Sequence, residues 1–265
     1  MTGRLDRRVC VVVGAGQQPG LTMGNGRATA IRFAQEGARL VLIDRDRDAL
    51  DVVVGDVEEH GAEVVASTID VGAHGAPASI MGLANDSFGR IDVLHNNVGI
   101  GAGDAPPHLL DDDVFDRIME INLRATWRIC REAVPIMRQQ RGGVITNVSS
   151  IASIAGTGIA AYRMSKAGVD ALTKNLAVTN AKYGIRVNAI LPGLIDTPLG
   201  VDSAAAARGM NRADLAARRA ARVPLGHQGT AWDVANAALF LASDEAAFVS
   251  GVCLPVDGGQ SARVG

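Results

Sequence analysis

Cysteine is scarce and poorly placed for pairing: the 265-residue chain has only Cys10, Cys130 and Cys253, odd in number and far apart. This argues against a disulfide framework or paired thiolate ligands and makes the three small buried hydrophobes. Five histidines, His60, His74, His95, His108 and His227, form no HxH or HxxxH spacing, so no metal site is expected. Charge of one sign is missing too. The formal net charge is −2 and Lys and Arg are scattered along the chain, which offers no concentrated basic surface for nucleic acid. Long apolar runs are absent. The first, residues 9–13, is too short for a signal-peptide core or a membrane span and ends in a glycine-rich turn. The expectation is a cytoplasmic protein with no membrane partner.

What is present is alternation. Short β-branched runs at 9–13, 39–43, 63–67, 91–95, 143–147 and 186–190 read as buried strands. Stretches with helical spacing at 24–36, 47–60, 74–88, 112–139, 160–183 and 231–241 separate them. Strand, helix, strand repeated in this way forces parallel pairing. The fold class is therefore α/β: one domain over 1–265, a doubly wound parallel sheet with helices on both faces. Ligands of such sheets sit beyond the carboxyl ends of the strands.

After the first strand comes Gly14-Ala15-Gly16-Gln17-Gln18-Pro19-Gly20-Leu21-Thr22-Met23-Gly24-Asn25-Gly26, then a helix. Gly14, Gly20, Gly24 and Gly26 let the backbone turn sharply and approach a pyrophosphate, which the helix N-terminus favours. The second strand delivers Asp44, eighteen positions after Gly26, where a ribose-binding carboxylate belongs. A 2′-phosphate there would face a like charge, at ~4 Å and an effective dielectric of ~20 a repulsion of roughly 4 kcal/mol. NAD is thus favoured over NADP, although Arg45 or Arg47 offers a route to holding a phosphate. Asp70 and Val71 follow the third strand, where the aspartate either bonds an adenine amino group or caps the next helix. Asn96-Asn97-Val98-Gly99 follows the fourth, where amides such as that of Asn97 can tie the strand end to the glycine turn.

Tyr162 and Lys166 lie four residues apart, so a helix places phenol and ammonium on one face. A tyrosine of pKa ~10 becomes a base near pH 7 only if its anion is stabilised by about 4 kcal/mol, which a nearby cation and hydrogen bonds supply. The fifth strand ends in Ser149-Ser150, so a serine hydroxyl can face the phenol and hold a substrate oxygen. Asn122 sits within an apolar helix face, unfavourable without partners. It either anchors a water chain from Lys166 or makes a structural hydrogen bond.

The glycine turn, Asp44, Asn-Asn-x-Gly, Asn122, Ser-Ser, Tyr-x-x-x-Lys and Pro192-Gly193, in this order, resemble the classical short-chain dehydrogenase/reductase family over residues 4–259. The resemblance implies a Rossmann-type oxidoreductase that transfers a hydride between NAD and a secondary alcohol or ketone. Tyr162 is then the general acid/base, Lys166 lowers its pKa and binds the nicotinamide ribose, and Asn122 belongs to the proton relay. Family spacing selects Ser149 as the serine, whereas the following Ile151-Ala152 selects Ser150; we take Ser150. Pro192, Ile195 and Thr197 look like the segment that meets the nicotinamide carboxamide, and residues 251–259 are similar to the last strand through which members form homotetramers.

Two departures stand out. The glycine turn holds about six extra residues, either between Gly14 and Gly24 or before a Gly20-Gly24-Gly26 set, and Val13 replaces the usual threonine. Residues 197–225, where the family has its substrate lid, contain no aromatic residue but include Arg208, Arg212, Arg218, Arg219 and Arg222. These arginines either receive an acidic substrate or form a solvated helix face. Two other functions compete: a non-catalytic NAD-binding regulator, which the intact Ser-Tyr-Lys set argues against, and a sugar-nucleotide epimerase or dehydratase, which normally has a further C-terminal domain.

Overall fold

The computed structural model describes residues 3–155 and 158–263. In chain order the first half comprises β1 (Val9–Val13), α1 (Asn25–Gln35), β2 (Arg39–Asp44), α2 (Arg47–Glu58), β3 (Val64–Thr68), α3 (Ala76–Phe88) and β4 (Val93–Asn96). There follow α4 (Asp112–Met119), a π-helical turn at Glu120–Arg124, α5 (Ala125–Gln140), β5 (Gly143–Val148), α6 (Ala161–Asn180) and β6 (Ile185–Pro192). The chain closes with β7 (Ile195–Asp196), α7 (Ser203–Ala207), α8 (Arg212–Ala220), β8 (Gly229–Thr230), α9 (Ala231–Ala242) and β9 (Cys253–Val256).

Seven strands form one parallel sheet in the order β3-β2-β1-β4-β5-β6-β9, while β7 and β8 make a separate two-stranded ribbon. Alternation along β1 builds both layers of the core. Val9, Val11 and Val13 join α3 and α5 residues such as Ile80 and Ile129, whereas Cys10 and Val12 join Phe33 of α1, Leu50 of α2 and Leu239 of α9. A strand buried on both faces needs apolar residues at every position, which explains the unbroken Val-Cys-Val-Val-Val run. Strand order reverses between β1 and β4, and the crevice opened there lies above Gly14 on one side and Asn97 on the other.

The helix expected over 112–139 is interrupted. α4 and α5 are continuous, but the turn between them is π-helical, and the Ala125 N–H reaches back to the Glu120 carbonyl. Such single-turn bulges are costly and tend to occur at functional sites. This one contains Asn122. No helix among the described residues is long and apolar enough to cross a membrane.

One buried row runs across the sheet on polar side chains. His95 of β4 lies in register with Thr146 of β5, which pairs in turn with Asn188 of β6. His95 is fully buried, neither ring nitrogen has a partner within the described structure, and its ring meets Phe33 edge-on at 6.1 Å. Burial pushes its pKa down to about 4. The folded state therefore resists a proton that the unfolded chain takes up near pH 6.5, so stability drains away as pH falls from 6.5 towards 4, by roughly 3 kcal/mol. Urea unfolding of the wild type and a His95→Leu variant between pH 7 and 4 measures this. The wild type should lose about that much stability relative to the variant, and a difference independent of pH contradicts the assignment.

Candidate active site

The crevice is lined first by backbone. Gly14 adopts φ +82°, a left-handed conformation that glycine accepts without strain, and the Gly14 and Ala15 N–H groups donate to the Ile43 carbonyl at 2.8 and 3.0 Å. Gly26 then brings α1 against this turn so closely that a Cβ there would strike the Gly14 carbonyl oxygen and the Asn97 amide. That amide donates to the Gly14 carbonyl at 2.8 Å. It makes directly the tie for which Val13 has no hydroxyl. Gly24 precedes α1, no side chain caps the helix, and no acidic residue occupies its first turn. The positive end of the helix dipole is thus open to an anion.

Asp44 closes the same crevice from β2. One carboxylate oxygen accepts from the Gly16 N–H at 2.9 Å and the other from Arg45 and Asp46 N–H at 2.8 and 3.2 Å. Arg47 pairs with Asp51 at 2.9 Å, whereas Arg45 has no ion pair among the described residues. Asp70 caps no helix: it accepts from the Gly72 N–H at 2.9 Å, and α3 begins instead after Gly75. Val71 is buried.

The extra residues of the glycine turn lie between Gly16 and Gly24. Gln17 accepts from the Gly24 N–H at 2.8 Å and closes the loop. Gly20, expected among the phosphate-binding glycines, instead packs against Pro198 and Asp202. The reading with an insertion after Gly14 is the one the geometry follows. Leu21 N–H donates to Asp202, Thr22 hydroxyl to Asp196 (both 3.3 Å) and Ser203 hydroxyl to Gln18 at 2.7 Å, so the loop is strapped to the segment that follows β7.

Opposite the crevice α6 presents Tyr162 and Lys166. Lys166 is 2% exposed, its ammonium donates to the Val148 carbonyl at 2.8 Å, and it lies 5.8 Å from the centre of the Tyr162 ring. Burial lowers its pKa to about 8, with the charge of Asp170, one turn further along α6, opposing the fall. Burial raises the Tyr162 pKa, and a hydrogen bond with the Ser150 hydroxyl pulls it back. Ser150 also accepts from the Ala152 N–H at 3.1 Å. Ser149 is buried and donates to the Lys166 carbonyl at 3.1 Å, so Ser150 faces the phenol and Ser149 braces the helix.

Asn122 is fully buried, and its side chain is committed. It accepts from the Ile100 N–H at 2.8 Å and donates to the Ile100 carbonyl at 2.9 Å and the Ser165 hydroxyl at 3.0 Å. The structural hydrogen bond foreseen as one alternative exists. Gly99 lies over the ammonium, and a Cβ there would stand 3.0 Å from Lys166 Nζ. Pro192 ends β6, Ile195 lies in β7, and the Thr197 hydroxyl accepts from the Gly200 N–H at 3.1 Å.

The arginines of 197–225 divide. Arg212 bridges Asp196 and Asp202 at 2.6 and 3.2 Å, and Arg219 donates to Gln228 and the Ile195 carbonyl, with burial lowering its pKa to about 10. Arg208, Arg218 and Arg222 are exposed, and their side chains make no ion pair or hydrogen bond among the described residues. One residue has no counterpart in the motif reading: Asp104, in the loop after β4, accepts from three successive N–H groups at the start of α6.

Three comparisons bear on this geometry. A family model described as Enoyl-(Acyl carrier protein) reductase matches residues 20–261. Levodione reductase of Leifsonia aquatica is 36% identical over 264 residues, covering 98% of this chain and 97% of that protein. Among solved structures, a Burkholderia xenovorans protein described as a short-chain dehydrogenase/reductase is 40% identical with a TM-score of 0.93, covering 99% of this chain and 100% of that one. NAD+-bound xylitol dehydrogenase is 32% identical with a TM-score of 0.88, covering 96% and 99%.

The close approach at Gly26 can be tested apart from any activity. Gly26→Ala should lower stability by about 2–3 kcal/mol, ~5–10 °C in melting temperature, because the opposing carbonyl belongs to backbone and cannot swing aside. Gly82→Ala in α3, where a Cβ meets nothing within 4 Å, should be neutral or stabilising. Equal melting temperatures for the two variants would refute the packing argument.

Proposed function

The chain belongs to the short-chain dehydrogenase/reductase family, and from that premise we propose that it is an NAD-dependent oxidoreductase acting on a secondary alcohol or ketone, with Tyr162 as general acid/base. The observation that carries this reading is the convergence of the Ser150 hydroxyl, the Tyr162 phenol and the buried Lys166 ammonium at the carboxyl edge of the sheet. The crevice fits a dinucleotide. Gly14, Gly16 and Gly26 leave no Cβ in its floor, α1 opens on it uncapped, and Asp44 stands at the end of β2. Bound NAD supplies the hydride acceptor and its reduced form the donor.

In oxidation the carbinol C–H bond breaks with both electrons, and the hydroxyl proton passes to the Tyr162 oxygen. Ser150 donates to the substrate oxygen and holds it at the phenol. Lys166 makes one hydrogen bond among the described residues, to Val148, so two N–H directions remain for the nicotinamide ribose and its positive charge for the developing phenolate. Burial disfavours the phenolate, so alcohol oxidation, which needs it as the base, rises as pH increases. Residues 197–225 form the substrate lid in this reading.

Replacing Tyr162 with Phe should lower kcat by ~10²–10⁴-fold while the dissociation constant for NAD stays within about threefold. Retention of most activity, in a spectrophotometric assay across secondary alcohols, sinks the proposal. Asp44→Ser should weaken NAD and raise the NADP/NAD preference by at least ~10-fold, since a repulsion of roughly 4 kcal/mol is removed; unchanged preference in initial-rate measurements argues against Asp44 as the ribose ligand.

A further inference from the structure

We propose that Asp104 is a positioning residue for Tyr162, holding the start of α6 in place so that the phenol meets Ser150 and the substrate. The proposal rests on the oxidoreductase reading above.

The first turn of any helix leaves N–H groups without intrahelical partners, normally satisfied by a local side chain. α6 lacks such a cap: Ala160 stands at the capping position and its side chain makes no hydrogen bond. The carboxylate of Asp104 arrives from 58 residues upstream instead. One oxygen accepts from the Ala160 and Ala161 N–H groups at 3.2 and 3.1 Å, the other from the Tyr162 N–H at 2.7 Å. The Ala160 N–H also reaches the Ala105 carbonyl at 3.1 Å. The shortest of these bonds thus grips the backbone of the tyrosine itself.

The loop that carries Asp104 is itself held. Asn122 bonds both backbone groups of Ile100, and Arg117 of α4 donates to the Ala102 carbonyl at 2.7 Å. The loop also walls the phenol, since a Cβ at Gly101 would lie 3.4 Å from Tyr162 Cδ2. The helix start and the substrate side of the cleft are therefore one rigid unit, with Asp104 as the joint. A displacement of about 1 Å at a reacting group can cost on the order of 10²-fold in rate.

The carboxylate has a second consequence, because its charge opposes ionisation of the phenol. Among the described residues the charges placed beside Tyr162 are the Lys166 ammonium, 5.8 Å from the ring centre, and the Asp104 carboxylate on its backbone N–H. Removing the Asp104 charge should let the phenol ionise about half a pH unit lower, an effect that a purely structural cap does not predict.

The test uses Asp104→Asn and Asp104→Ala in a Tyr183→Phe background, where Tyr162 is the only tyrosine. Asn retains an acceptor oxygen and removes the charge, so it should fold even where Ala does not. Expected are a phenolate absorbance titration shifted down by about half a pH unit in Asp104→Asn, kcat lowered ~10–100-fold in Asp104→Ala and less in Asp104→Asn, and KM for NAD within about twofold of the parent. A parental titration curve in Asp104→Asn, or parental kcat in a folded Asp104→Ala, overturns the proposal. A parent inactive on every alcohol and ketone instead defeats the oxidoreductase reading, and the titration still decides whether Asp104 acts on the phenol.

Discussion

An ammonium withdrawn from water is costly to hold, and much of the crevice is explained by how this one is kept. With the Lys166 pKa lowered to about 8 from its usual 10.5, holding the charge at pH 7 costs roughly 3 kcal/mol. The sign follows from the direction: the cost is fully present below pH 8 and is relieved as pH rises towards 10.5. Such a charge persists only where fixed dipoles and counter-charge offset lost hydration. Val148 provides the carbonyl and Asp170 the negative charge on the next turn.

The neighbours conform to that one cation. Gly99 has no side chain because Nζ occupies the space beside it, and Ser149 ties down the Lys166 carbonyl. Asn122 cannot reach the ammonium with its amide, which is spent on Ile100 and Ser165, but through those bonds it fixes the loop on one side of the cation and α6 on the other. Ser165 passes the restraint on by donating to the Tyr162 carbonyl at 2.8 Å. The π turn at Glu120–Arg124 is the local distortion at which this amide sits. An even α-helix over 112–139 would place the following residues on different azimuths, so the bulge and the clamp belong together.

Periodicity made the framework legible because burial on both faces gives β1 and the middle of β2 unbroken apolar runs, and β3 to β6 keep shorter ones beside their polar positions. The last strand, Cys-Leu-Pro-Val, is half-exposed and carries no comparable pattern; it was anticipated from resemblance alone. The placement of Tyr162, Lys166 and Asp44 at the crevice was legible because it follows from helical spacing and from position after a strand. Gly20 misled, since a glycine required for passage beside Pro198 reads the same as one required beside a phosphate. Asp104 left no trace at all. A helix cap supplied from 58 residues away has neither a period nor a fixed offset, and only the folded chain brings carboxylate and amides together. The arginines of 197–225 show the same limit from the other side: identical in the sequence, they separate into Arg212 and Arg219, bound within the fold, and three that face water.

The enlarged glycine turn follows from the same logic of joints. Its residues bond Asp196, Asp202 and Ser203, while Arg212 holds Asp196 and Asp202 from the opposite side. Each such contact, part-exposed and polar, is worth about 1 kcal/mol or less. The three that join turn to segment amount to a few kcal/mol at most. The enlarged turn and the segment after β7 are therefore tied directly to one another. In a chain with a short turn these two elements, about 180 residues apart, would have no such bonds.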